Sequence, residues 1–144
     1  MSMPYTAITD ATIRSLVDTF YTGVRTHPDL GPIFASAIAE PAWPDHLGTM
    51  YAFWSSVMLG SGRYKGNPVA IHQHVAGITP PLFATWLVVF ESTATALFVP
   101  PLADRFVQSA RRIAESLKLA LFFRPGHPWP DDLRHPATAA PPCA

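Results

Sequence analysis

Charge, cysteine and strand pattern are all scarce in this chain, and each scarcity narrows what it can do. Only 14% of its 144 residues are charged, and ten Lys+Arg balance ten Asp+Glu. There is no basic stripe to follow a phosphate backbone and no acidic tail, so nucleic acid is not an expected partner. The one cysteine, Cys143, stands beside the C-terminus; no internal disulfide can form, which suits a reducing compartment. The opening residues MSMPYTAITD lack the basic and apolar regions of a signal peptide, and no apolar run approaches a membrane span. A soluble cytoplasmic protein with no membrane partner is expected. A Gly-rich phosphate loop is missing, and no serine sits in a strand-turn-helix elbow, which leaves phosphoryl and acyl transfer poorly supported.

What is present is apolar and helical. Apolar residues make up 49% of the chain, enough for one domain with a real core. Thr9 or Asp10 can cap a helix in which Ile13, Leu16, Val17, Phe20, Tyr21 and Val24 form one stripe, and His27-Pro28 ends it. A compact connector, DLGPIFASAIAEPAWP, follows, with Phe34 as its inward-pointing aromatic. The next helix runs from near Pro44 to about Leu59, where Gly60-Ser61-Gly62 stops it. His46, Met50, Phe53 and Val57 share one of its faces, with Leu47, Tyr51, Trp54 and Met58 in a second row. Pro80-Pro81 and Pro100-Pro101 open two longer helices with stripes through Phe83, Trp86, Leu87 and Phe90, and through Leu102, Phe106, Ala110 and Ile113. Beyond Phe123 six prolines fall within 21 residues. The expected organisation is a helical domain over 1–123 and an extended, largely disordered tail over 124–144.

The histidines carry most of the chemical signal. Of the six, His27 stands at a helix end, where a positive charge is favourable, and His127 and His135 lie in the tail. His72 rides on a short helix that opens at Pro68 and is broken at Gly77, an arrangement of about two turns that only packing can stabilise. His72 and His74 are two apart and point to nearly opposite faces of a helix, and no further ligands stand at zinc spacing. By composition alone, a hydrogen-bonded core histidine is the favoured reading of His72. Two histidines on different helices, an apolar interior, and a tyrosine and tryptophan on interior stripes can also build a pocket for a flat apolar cofactor with one axial histidine.

The segments FYTGVRTHPDLGPIF, AWPDHLGTMYAFWSSVMLGSGRYKGNP and LFATWLVVFE resemble the truncated haemoglobins, and their third group in particular. Tyr21 and Phe34 are 13 apart, Phe34 and His46 are 12 apart, His46 and His72 are 26 apart, and His72 and Trp86 are 14 apart, a set that matches the group. The resemblance implies an all-α, short globin of two-over-two helical sandwich type enclosing haem b. On it, His72 matches the proximal ligand of iron, and Phe34 the aromatic wedged against the porphyrin. Tyr21, His46 and Trp86 match the distal polar residues, while His74 has no role in the pattern.

Such a protein would bind dioxygen, carbon monoxide or nitric oxide reversibly, and an unidentified reductase would serve its iron. Charge that moves onto a bound gas is stabilised by an O–H or N–H in a low-dielectric pocket, and Tyr21 and Trp86 each offer one. Arg63, Tyr64 and Lys65 are the nearest candidates to meet the propionates, with Met50 and Trp54 against the porphyrin. A haem enzyme, peroxidase-like or detoxifying nitric oxide, is the alternative, with His46 as its acid-base group. For gas binding, His46 is either a gate or a sixth ligand of the iron.

Overall fold

Thr9 and Thr12 close the first helix on each other. The Thr9 hydroxyl accepts the N–H of Thr12 at 3.1 Å, and the Thr12 hydroxyl accepts the N–H of Thr9 at 2.9 Å. This reciprocal cap satisfies two of the donors that a helix start leaves bare. The computed structural model describes residues 3–73, 75 and 77–122. Within it, α1 spans Asp10–Thr26, and the six stripe residues from Ile13 to Val24 are all buried.

His27 departs from its expected part as a charge at a helix end. Its Nδ1 accepts the backbone N–H groups of Asp29 and Leu30, at 3.0 and 3.3 Å. The ring thereby serves as an acceptor at the start of the next element, because those first N–H groups have no partner within their own helix. That element corrects a second expectation. The supposed connector is itself helical, with α2 over Leu30–Ala37 and a 3-10 turn over Glu40–Ala42. Pro32 falls in the first turn of α2, where proline forfeits no hydrogen bond. Gly31 is required there by space, since a Cβ would come within 2.8 Å of the Arg25 carbonyl oxygen.

Helix α3, Trp43–Leu59, has Pro44 in its first turn and ends at Gly60, whose φ of 67° is left-handed. Helix α4, Pro68–His72, is five residues long, shorter than the two turns expected; Gln73 already caps it. It is held at its start by Asn67, whose Oδ1 accepts the N–H of Ala70 at 3.1 Å. Helices α5, Pro80–Leu97, and α6, Pro100–Phe122, both open on the prolines that announced them.

Packing follows from the apolar stripes. Helix α5 lies along α6, and α1 packs on both α3 and α5, so two pairs of helices cross in a two-over-two sandwich. Helix α2 bridges α1 and α5, and α4 rests on α6. Phe20, Phe90, Phe98 and Phe106 are fully buried between the layers, each contributing on the order of 1.5–3 kcal/mol by leaving water. The N-terminus is strapped to the α5–α6 corner: Tyr5 N–H donates to Leu97 at 2.7 Å, and Val99 N–H donates to Tyr5 at 3.0 Å. Among the described residues no helix is long and apolar enough to cross a membrane. The expected boundary after 123, the tail over 124–144 and His74 lie outside the described residues.

Candidate functional site

His72 sits half-buried at the end of α4, with its Nδ1 2.6 Å from the carbonyl oxygen of Pro68. A carbonyl only accepts, so Nδ1 carries the hydrogen, and in the neutral ring this leaves the lone pair on Nε2. Pro68 at the first helical position brings its carbonyl one turn behind the ring. The short helix thus fixes the ring through one nitrogen and leaves the other available to a ligand-accepting group.

His46 approaches from α3. Its ring meets Tyr21 at 5.1 Å and Trp43 at 5.4 Å, edge to face in both cases. Its Nε2 is buried and has no hydrogen-bond partner among the described residues. Burial pushes the imidazole below its ordinary pKa, and the nearby His72 adds to the effect. The two histidines, 26 positions apart in sequence, stand on two different helices, α3 and α4. An orphaned buried nitrogen is costly unless something it can meet completes the pocket.

Tyr21 is buried among rings, with Phe34 and Trp43 each 5.9 Å away. Burial raises its pKa far above the usual phenol value, so the hydroxyl stays protonated and able to donate. Trp86 packs edge-on against Phe20 at 5.3 Å and stacks on Phe90 at 5.3 Å. The opposite partner of Phe90 is Trp54, stacked at 5.0 Å and near Phe106 at 6.0 Å. Trp54 is thus a core residue that backs Trp86 through one intervening ring. Met50 is half-buried against the same core.

Arg63, Tyr64 and Lys65 do come together. With Pro44, Asp45 and Ile71 they line an open cleft of about 570 Å³ between α3 and the loop before α4. Arg63 is paired with Asp10 at 2.7 Å, whereas Lys65 has no ion pair among the described residues. Tyr64 is anchored by its N–H to the Ser56 hydroxyl at 2.9 Å and by its ring on Phe53 at 5.1 Å. A second cleft, of about 480 Å³, opens on the other side of α4 and is lined by His72, Val75, Ile78, Leu121 and Phe122.

Sequence reasoning missed Trp43. It is buried, touches both Tyr21 and His46, and carries the Arg25 guanidinium 4.4 Å above its ring. The signal was its place three residues before His46, on the same face of one helix.

The residues fit a haem on two counts. A single imidazole has its Nδ1 tautomer fixed by a carbonyl, and a buried polar nitrogen on α3 lacks a hydrogen-bond partner among the described residues. Among the described residues no three His, Cys, Asp or Glu side chains are grouped to hold a metal.

Comparison with known proteins agrees. The family profile described as bacterial-like globin matches residues 5–118. A group 3 truncated haemoglobin, Ctb, of Campylobacter jejuni is 31% identical over 127 residues, covering 87% of this chain and 100% of the relative. The crystal structure of a group III truncated haemoglobin from Campylobacter jejuni superposes with a TM-score of 0.80 at 31% identity, over 87% of this chain and 100% of that one.

Proposed function

Because the chain belongs to the bacterial-like globins, within the group III truncated haemoglobins, it is a haem-binding globin, and we propose that it reversibly binds dioxygen with His72 as the proximal ligand. Haem b is the form this sequence suits, since a single cysteine leaves no Cys-x-x-Cys-His for covalent attachment. A bound haem would supply ferrous iron able to take up a diatomic gas, and a reductase that keeps the iron ferrous is the protein partner this chemistry would call for.

The chain's own residues do the rest. Pro68 fixes the tautomer of His72 and aims Nε2. Tyr21 and Trp86 offer an O–H and an N–H, neither engaged in a hydrogen bond among the described residues, and both can stabilise negative charge on a ligand in a dry pocket. His46, neutral because it is buried, closes the pocket as a gate. Phe34 packs against the cofactor face, and Lys65, Tyr64 and Arg63 meet the propionates at the rim, Lys65 being the basic residue not already paired.

The observation that carries this reading is the His72–Pro68 bond. A carboxylate on Nδ1 would push the imidazole towards imidazolate and favour peroxide cleavage; a carbonyl leaves it an ordinary neutral ligand, which favours reversible binding over the peroxidase-like alternative. Absorption spectra of the purified protein in ferric, ferrous and carbon-monoxide forms test it. A five-coordinate ferrous spectrum that converts fully with carbon monoxide is expected; a colourless protein that takes up no added haem would overturn it.

A further inference from the structure

Arg25 reaches the pocket only through its neighbours. It stands in the last turn of α1, pairs with Glu40 of the 3-10 turn, and lies 4.4 Å over the ring of Trp43, in the first turn of α3. Trp43 is 5% exposed, and its edge contacts carry on inward to His46 at 5.4 Å and Tyr21 at 5.9 Å. His46 is lodged between these two rings, at interplanar angles of 88° and 86°. A continuous chain of contacts therefore leads from a charge pair whose side chains are 41% and 72% exposed to an imidazole with an orphaned nitrogen.

We propose that Arg25, Glu40 and Trp43 form a latch that holds His46 in the pocket, so that a surface ion pair sets how fast a diatomic ligand enters. The proposal rests on the reading of His46 as a gate. The physical reason is steric and local. His46 is hemmed in by Tyr21, which the core fixes, and by Trp43, whose ring the Arg25 guanidinium covers. For the imidazole to leave, the indole has to yield, and a cation on its face opposes that movement. Glu40 holds the guanidinium in place from a different element, so the latch joins the end of α1 to the start of α3 across the turn between them. Trp43, Arg25 and Glu40 are positioning residues: none has to touch the ligand.

The strength of the effect is bounded by exposure. A cation–π contact at a partly open site corresponds to roughly a two- to fivefold change in an equilibrium or rate, and an exposed ion pair to less. Arg14, over Tyr51 at 4.6 Å, is the other cation–π contact among the described residues, and Tyr51 makes no ring contact with His46 or Tyr21. Arg14→Ala is thus a matched control.

Carbon-monoxide recombination after flash photolysis of the haem-loaded ferrous protein provides the test. Arg25→Ala should accelerate association by about two- to fivefold, and Glu40→Gln by less. High salt should imitate Glu40→Gln in the wild type, since screening weakens exposed pairs. Arg14→Ala should have no effect, and Arg25→Ala should add nothing in a His46→Leu background, where no imidazole remains to be held. Unchanged rates in Arg25→Ala, or equal acceleration with and without His46, would overturn the latch. A second readout needs no haem: in the haem-free protein, the side-chain nitrogen and carbon-bound proton resonances of His46 should move in Arg25→Ala and stay in place in Arg14→Ala. Should the protein take up no haem, the gas-binding reading fails by itself, and an unmoved His46 resonance would separately refute the latch.

Discussion

The ring of His72 donates from Nδ1 to the carbonyl oxygen of Pro68, 2.6 Å away and one turn back along α4. One residue thus begins the helix and orients the histidine that ends it. Because α4 has only five residues, its stability comes from its Asn67 cap and its packing on α6. The ring of His72 is consequently positioned by contacts of the protein itself.

If Nε2 of His72 is the strong bond from protein to iron, His72→Ala should lose most of its haem during purification, and added imidazole should restore a ferrous spectrum resembling wild type. Retention of full haem content with an unaltered spectrum would assign the ligand elsewhere.

Tyr21→Phe and Trp86→Phe each remove one polar hydrogen while keeping an aromatic body. Each should raise the dioxygen dissociation rate, with a loss of about 1–3 kcal/mol for a buried bond. Carbon monoxide carries less charge when bound and should respond less. Equal acceleration of both gases would mean that the change acts on access and not on hydrogen bonding.

His46 separates two outcomes. As a gate, it leaves the ferrous wild type five-coordinate at neutral pH, and His46→Leu changes association rates without altering the unliganded spectrum. A six-coordinate low-spin ferrous spectrum, lost in His46→Leu, would instead make it an iron ligand.

The burial of Tyr21 predicts an alkaline limit. The group's pKa is raised from 10.0 by desolvation, so the folded state keeps the proton. An unfolded chain releases it above pH 10, and stability that is intact below that value falls as pH rises further, by ~1.4 kcal/mol per unit for this group. Tyr21→Phe removes that dependence, and in alkaline unfolding followed by circular dichroism its midpoint should lie at higher pH than wild type. A midpoint at the same or lower pH would contradict the assignment.

Two glycines should respond in opposite directions. Gly31→Ala drives a methyl within 2.8 Å of the Arg25 carbonyl oxygen, which backbone movement must relieve, at a cost of about 1–3 kcal/mol. Gly48, exposed in the middle of α3, has nothing within 4 Å of a built Cβ, and alanine there should stabilise by roughly 0.5–1 kcal/mol. Thermal unfolding of the haem-free variants distinguishes them; a stabilised Gly31→Ala would show that the α1–α2 junction is looser than its geometry.

Much was legible in the sequence because it is written locally. Thr9, Gly60, Pro80 and Pro100 act through their own backbone geometry, so helix limits set by them could be read without knowing any neighbour. The spacing from Tyr21 through Phe34, His46 and His72 to Trp86 was legible too, as a resemblance to the third group of truncated haemoglobins. The same logic failed over residues 29–44. Gly31 and Pro32 carry breaker signals, and only the close backbone approach at Arg25 and the acceptor nitrogen of His27 show why a helix forms there. Nothing in sequence distance could reveal that Trp54 backs Trp86 through Phe90, or that Arg25 covers the ring beside His46. Those relations depend on how α1, α3 and α5 cross. The sequence determined the helices and the residue types that could serve a haem; the crossing of the helices decided which of them face one another, because a ring contact depends on distance in space and not along the chain.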